Sequence, residues 1–213
     1  MMKITKYHGC GNDFIITDAS LIEEKDVVDF VRQVCDRHTG IGADGCILVK
    51  QDPLEMIFYN GDGSRAPMCG NGIRCFAKYC YDEGIQQEED YDVITLAGIK
   101  HVSRISVDPF LVRIGMGSWE DDPQKIHVDA QEPIKQYPLP VGDSVVSVSS
   151  CFMSTIHTVV FVEDAFGKDY TELGKQICEH PFYHEQTNVN FVEVVDAHTL
   201  KMVTYERGVG MTL

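Results

Sequence analysis

The sequence predicts an α+β fold, in which short strands in mixed or antiparallel sheets alternate with two or three helices. Two observations carry this prediction. Most apolar segments are short, as strands are, and are separated by turns rich in Gly, Asp and Pro. Only a few segments place apolar residues at helical spacing. The length of 213 residues suits one large domain or two small ones.

In the first half, helices are predicted at 20–37, where apolar residues fall near helical spacing, and from Asn71 or Gly72 to a stop at Gly84. A glycine-rich loop is expected at 40–45. Strands are expected at 3–7, 14–17, 46–50 and 56–60, with a hairpin formed by 91–99 and 101–107.

In the second half, a short helix at 169–180 is expected to be capped by Asp169 or Thr171. Residues 121–123 and 133–140 are typical of connectors. We place the boundary at 109–117, which gives an N-terminal half at 1–112 and a C-terminal half at 113–213. Strands are expected at 111–116, 145–148 and 157–162, with a hairpin of 188–195 and 200–206.

The net charge of −15 makes nucleic acid and anionic membranes poor partners for this chain. No apolar run approaches the roughly 20 residues of a membrane-spanning helix. The start, Met1 to Lys6, is typical of a charged strand and not of a signal peptide. We therefore expect a cytoplasmic protein whose partners are neither nucleic acid nor membranes.

The eight cysteines do not have the spacing of a zinc site, because no C-x2-C pair and no histidine cluster occurs. Disulfides are not expected without a secretory signal. Most of the cysteines are expected to be small buried residues in a reducing compartment. No metal and no cofactor is predicted.

Cys69 is the exception, because it lies in a glycine-rich turn directly before a predicted helix. Backbone N–H groups and the positive end of the helix dipole favour a thiolate at such a position. The same N–H groups can bind a carboxylate. Alone, a cysteine is more often a buried thiol than a catalyst, but the Cys-Gly-Asn-Gly run and Asn60 upstream favour catalysis.

Seven ordered motifs resemble the diaminopimelate epimerase family of cofactor-independent isomerases. The resemblance implies two similar halves, each a curved mixed or antiparallel sheet wrapped around a central helix, with the active site in the cleft between them. It also implies a homodimer. The motifs are His8–Phe14, Arg37–Gly45, Asn60–Ser64, Cys69–Cys75, Thr95–Gly98, Asn188–Phe191 and Glu206–Gly210.

The resemblance implies a reaction in which two thiols on opposite faces invert an amino-acid α-carbon, and Cys69 is one of them. Arg207 is expected to pair with a substrate carboxylate, for which a guanidinium fork is suited. The alternative to substrate binding for Asn12 and Asn60 is that they hold turns through side-chain hydrogen bonds. The alternative for Glu206 and Arg207 is a plain surface ion pair. The implied substrate-binding residues are Asn12, Asn60, Gly70, Asn71, Thr155, Asn188, Glu206 and Arg207.

Two departures from the family pattern leave alternatives open. Thr155 stands where the family has an asparagine. The second hypothesis is therefore a related racemase or epimerase that acts on another amino acid. The family's second cysteine follows the Glu206–Arg207 motif, and the spacing from Asn60 to Cys69, repeated from Glu206, reaches past Leu213. A chain of these residues alone is therefore expected to be C-terminally truncated and inactive. A non-catalytic amino-acid-binding remnant is the third hypothesis.

Overall fold

The computed structural model describes residues 2–22 and 26–212 and contains two compact units, Met1–Met116 and Gly117–Leu213. Both units combine β-sheets with a few helices, so the predicted α+β class is confirmed. Among the described residues, no helix combines the length and apolar character that crossing a bilayer requires.

In the part of the first unit that the structure describes, there are two sheets and two α-helices. One sheet has the strand order β1-β2-β3-β4-β5 and is antiparallel except for the parallel pair β2 and β3. The other is the antiparallel sheet β6-β7-β8. The elements are β1 (Thr5–Gly9), β2 (Asn12–Asp18), α1 (Val27–Cys35), β3 (Gly45–Gln51), β4 (Leu54–Asn60), β5 (Arg65–Ala66), α2 (Gly70–Asp82), β6 (Asp90–Val93), β7 (Lys100–Val107) and β8 (Phe110–Ile114).

The five-stranded sheet is covered by a helix on each face. Side chains alternate along β2, so Phe14 and Ile16 point to one face and Ile15 to the other. Phe14 and Ile16 join a buried cluster with Phe76 of α2, whereas Ile15 joins a second cluster with Val31 of α1. The apolar run of β2 therefore reflects burial on both faces, and it fixes the position of α2 against the sheet.

The second unit contains one six-stranded sheet with the order β14-β13-β12-β11-β10-β9, in which only β11 and β12 are parallel. Its core includes Ile177 of α4, Phe191 of β12 and Leu139 of β9. The elements are α3 (Pro123–Ile126), β9 (Tyr137–Val141), β10 (Ser144–Phe152), β11 (Ile156–Phe161), α4 (Thr171–Cys178), β12 (Asn188–Val194), β13 (Leu200–Glu206) and β14 (Gly210–Thr212).

The two units repeat one strand pattern. An antiparallel pair (β1–β2 or β10–β11) is followed by a helix, which leads into a strand parallel to the second one. Two antiparallel strands complete each repeat. Asn60 and Glu206 are the last residues of the equivalent strands β4 and β13. The predicted similarity of the halves is therefore confirmed.

The predicted helix at 20–37 is wrong at both ends. The side chain of Asp18 accepts the N–H of Ser20 at 2.8 Å, which closes a short 3-10 turn at Ala19–Leu21. Residues 23–25 of the prediction lie outside the described residues, and α1 begins at Val27. It ends at Cys35, because Asp36 accepts the next N–H groups in a turn of its own.

Two segments predicted as connectors contain regular structure. Residues 137–141 form β9, although Pro138 and Pro140 lack an N–H, because β9 is the edge strand of its sheet. Pro123 begins α3, where a missing N–H costs nothing. The units divide after Met116, within the region 109–117 given for the boundary, whereas a division between 112 and 113 would fall inside β8, which stays paired with β7.

Candidate active site

Cys69 is the N-cap residue of α2. Its backbone is extended, with φ of −132° and ψ of 125°, and Gly72 donates its N–H to the Sγ atom at 3.4 Å. A Cβ at residue 72 would lie 3.1 Å from Met56, so glycine lets the first turn approach the sheet closely. The helix begins at Gly70, one or two residues before the predicted start at Asn71 or Gly72, and the sulfur lies where the helix dipole favours negative charge.

Asn12 supplies a second polar contact to Cys69. It is buried at the start of β2, and its Oδ1 atom accepts the thiol hydrogen, with a distance of 3.7 Å to Sγ. Its Nδ2 atom donates to Asp44 at 2.9 Å, which orients the amide with its carbonyl toward the sulfur. The sulfur therefore meets an N–H donor from Gly72 and a carbonyl acceptor from Asn12.

A charged cluster behind Asn12 was not predicted as part of the site. Arg37 donates to Asp44 at 2.7 Å and to Asp13 at 2.8 Å, and Lys6 pairs with Asp13 at 2.9 Å. Burial would raise the pKa of Asp13, but the hydrogen bonds from Arg37 and Lys6 outweigh it and hold the pKa well below its usual range. The cluster thus keeps Asp13 ionised and holds the carboxylate of Asp44 against the amide of Asn12.

The other residues predicted in the first unit have local partners. Gly70 and Asn71 form the first turn of α2, and the Asn71 side chain accepts a short hydrogen bond from Arg74. The side chain of Asn60 donates to Ser64 at 3.0 Å. Asn60 thus has the turn-holding contact that the sequence analysis left open as an alternative.

In the second unit, Thr155, Asn188 and Arg207 form one hydrogen-bonded group. The tight turn between β10 and β11 presents Thr155, with Ser154 in the left-handed region at φ of 63°. The Nδ2 atom of Asn188 donates to Thr155 Oγ1 at 3.2 Å, and its Oδ1 accepts the N–H of Arg207 at 2.9 Å. Three strand ends thus bring together residues from distant parts of the sequence.

Arg207 and Glu206 each make a further contact with their side chains. The Nη1 atom of Arg207 donates to the carbonyl oxygen of Glu185 at 2.6 Å, and Glu206 accepts from the hydroxyl of Thr212 at 3.1 Å. The described residues show no ion pair between Glu206 and Arg207. That alternative from the sequence analysis is therefore not what the structure contains.

His157 and Asn190 extend this group, and the sequence analysis did not assign them to the site. His157 lies 3.0 Å from Thr155 Oγ1 through Nε2 and 3.2 Å from the Asn190 amide through Nδ1. Burial lowers the pKa of His157, although the bond with Asn190 opposes it. The sequence feature that could have assigned Asn190 to the site is the Asn188-x-Asn190 spacing, because it places both amides on one face of β12.

No group of three or more His, Cys, Asp or Glu side chains in residues 2–22 and 26–212 is arranged to hold a metal ion. Five of the eight cysteines are buried, as predicted. Burial raises the pKa of Cys35 and Cys75 to about 11 and that of Cys80 to about 12. It also raises the pKa of Cys178.

We expect Cys69 to be alkylated faster at neutral pH than Cys35 or Cys178, because its sulfur accepts an N–H at a helix N-terminus. Cys151 is the matched control: it is half-buried like Cys69, but it lies on β10 and burial raises its pKa. Peptide mapping after brief iodoacetamide treatment gives the order. Equal labelling of Cys69 and Cys151 would show that exposure alone sets the rate.

A protein-family model described as diaminopimelate epimerase matches residues 4–120 and 151–213. The diaminopimelate epimerase of Methanothermobacter thermautotrophicus is 40% identical over 224 residues, which cover 100% of this chain and 78% of that protein. The enzyme of that name from Alkaliphilus metalliredigens is 38% identical over 220 residues, with coverage of 100% and 77%. The chain belongs to the diaminopimelate epimerase family.

Solved structures of other isomerases share the fold with this member of the diaminopimelate epimerase family. A hydroxyproline epimerase from Agrobacterium vitis has a TM-score of 0.65 at 14% identity, covering 99% of this chain and 71% of that chain. A probable proline racemase from Agrobacterium radiobacter K84 has a TM-score of 0.64 at 16% identity, covering 100% and 72%. At such identities these likenesses concern the fold alone.

Proposed function

We propose that this protein is a cofactor-independent epimerase that converts LL-diaminopimelate to meso-diaminopimelate, a step in the synthesis of lysine and cell-wall precursors. Relatives named diaminopimelate epimerase at 35–40% identity over the whole chain support this substrate. The observation that carries the chemistry is the sulfur of Cys69 at the start of α2, between the N–H of Gly72 and the carbonyl of Asn12.

Cys69 is proposed to transfer a proton at one face of the α-carbon. The thiolate takes the proton, so the Cα–H bond breaks, an S–H bond forms, and the electron pair moves into the α-carboxylate. A second acid returns a proton to the opposite face, and the family resemblance implies another cysteine for this role. Each form of Cys69 has a partner: Gly72 donates to the thiolate, and Asn12 accepts from the thiol.

Charge that develops on the α-carboxylate requires oriented donors. The N–H groups of Gly70 and Asn71 lie in the first turn of α2, where main-chain N–H groups have no helical partner. We propose that they bind this carboxylate beside Cys69. Their position on a helix packed into the core keeps them in place during the reaction.

The second unit is proposed to hold the remaining polar groups of the substrate. Thr155 and Asn188 share one hydrogen-bonded group, which also holds the main chain of Arg207. The guanidinium of Arg207 is proposed to bind a carboxylate, and Glu206 a substrate ammonium group. Asn12 and Asn60 complete the proposed set of substrate-binding residues.

A racemase or epimerase of another amino acid is the second candidate, and Thr155 favours it. A hydroxyl offers one donor where an amide offers two, so the set of hydrogen bonds to the substrate differs. The family resemblance also supports a homodimer and a cytoplasmic location. Light scattering tests the oligomeric state, and cell fractionation tests the location.

Alpha-proton exchange in D2O, measured over a panel of amino acids, tests the proposal. We expect diaminopimelate to exchange fastest, with the rate unchanged by EDTA and by omission of pyridoxal phosphate, because the proposed proton transfers need only protein groups. The assay uses the whole natural protein in which this sequence occurs. Faster exchange with histidine, lysine or glutamate would favour the second candidate, and a rate lost in EDTA would overturn the two-thiol chemistry.

A further inference from the structure

The hydrogen-bond direction at Thr155 is fixed first by Asn188. The main-chain N–H of Arg207 can only donate, so the Asn188 atom at 2.9 Å from it is the carbonyl Oδ1. The other end of the amide, Nδ2, therefore faces Thr155 Oγ1 at 3.2 Å and donates to it. One of the two acceptor positions of the Thr155 hydroxyl is filled in this way.

The second neighbour of the hydroxyl is the imidazole of His157. The Nδ2 atom of Asn190 can only donate, and it lies 3.2 Å from His157 Nδ1, while Asn190 Oδ1 accepts from the hydroxyl of Thr204 at 3.1 Å. Nδ1 therefore accepts. Burial lowers the pKa of His157, so the ring is neutral at pH 7 and its single hydrogen lies on Nε2.

Nε2 lies 3.0 Å from Thr155 Oγ1, so His157 donates to the hydroxyl. Thr155 then accepts two hydrogen bonds, from Asn188 and His157, and both of its acceptor positions are filled. Its own hydrogen is left for a third group. Thr155 is partly exposed, so this hydrogen can reach a ligand.

We propose that His157 is a positioning residue that, together with Asn188, makes the Thr155 hydroxyl donate only, so that this part of the site selects an acceptor oxygen of the substrate. The group recognised is a carboxylate or carbonyl oxygen, and an ammonium group is rejected, because it would place its hydrogens against a hydroxyl with no acceptor left. This inference rests on the proposed function and specifies the ligand chemistry at Thr155.

The tautomer of His157 gives a direct test in the protein without substrate. Ring-15N histidine spectra distinguish hydrogen on Nε2 from hydrogen on Nδ1, and the His157→Phe variant assigns the signal. We expect the Nε2–H form at pH 7. The Nδ1–H form would leave Nε2 as an acceptor for the Thr155 hydroxyl, and it would overturn the proposal whatever the enzyme's substrate is.

Kinetics with diaminopimelate test the same arrangement through the ligand. Thr155→Val removes the donor at nearly constant shape and is expected to raise KM about 10-fold, and Thr155→Ser to recover most of this loss. An equal loss in both variants would contradict the donor role. A wild-type protein inactive on diaminopimelate would overturn the proposed function, while the tautomer still decides the direction of the hydroxyl.

A double-mutant cycle separates positioning from a structural effect of His157. His157→Phe is expected to raise KM several-fold in the wild-type background. In the Thr155→Val background it is expected to change KM less than about twofold, because no hydroxyl remains to be oriented. The same factor in both backgrounds would show that His157 does not act through Thr155.

Discussion

Replacing Cys69 by alanine is expected to reduce α-proton exchange of diaminopimelate by about 10²- to 10⁴-fold, the usual contribution of a positioned acid or base. The thiol accepts from Gly72 and donates to Asn12, and no other sulfur in the described residues caps a helix. Loss of a helix cap costs about 1 kcal/mol, so the variant is expected to stay folded.

Cys151→Ala is the control, since Cys151 is also half-buried but lies on a strand. It is expected to keep most of the activity. Circular dichroism and thermal unfolding establish that both variants are folded. Retention of an ordinary exchange rate by the Cys69→Ala protein would remove Cys69 from the mechanism and leave the fold assignment untouched.

Arg207→Ala is expected to lower kcat/KM for diaminopimelate by about 10²-fold, because a charged hydrogen bond to a carboxylate is worth about 1.5–3 kcal/mol. Arg207→Lys is expected to lose about 10-fold, since lysine keeps the charge but not the planar fork. The main-chain bond from residue 207 to Asn188 remains in both variants, so Thr155 keeps its neighbour.

Arg104→Ala provides a matched control for Arg207. The guanidinium of Arg104 also donates to a main-chain carbonyl, that of Gln87 at 3.1 Å, but it lies on β7 of the first unit. Its loss is expected to leave kcat/KM unchanged. Comparable losses at both positions would indicate that removing a surface guanidinium, and not a substrate contact, accounts for the effect.

The sequence was most informative where local pattern and packing agree. The hairpin of β12 and β13 was predicted because two short segments of strand character are joined by a turn from Asp196 to Thr199. Prolines led to the opposite error in β9, because the edge position that tolerates Pro138 and Pro140 is a property of the whole sheet. The position of α1 depends on the side-chain turns at Asp18 and Asp36, which apolar spacing does not record.

The candidate site divides in the same way. The environment of Cys69 could be predicted, because its loop and helix are adjacent in the sequence. The contact that orients Asn12 beside Cys69 could not be predicted. Asp44 is 32 residues from Asn12, and the parallel pairing of β2 and β3 brings the two together. His157 likewise reaches Asn190 through a parallel pair, since β11 and β12 pair with His157 opposite Asn188.

The start of α2 couples the architecture of the first unit to the stereochemistry of the proposed reaction. A helix turns about 100° per residue, so a shift of one residue in where α2 begins would swing the sulfur of residue 69 to another side of the axis. The buried face that includes Ile73 and Phe76 resists such a rotation, because it would expose apolar surface. In the proposed reaction, the face of the α-carbon that meets this sulfur is therefore set by the hydrophobic packing of α2.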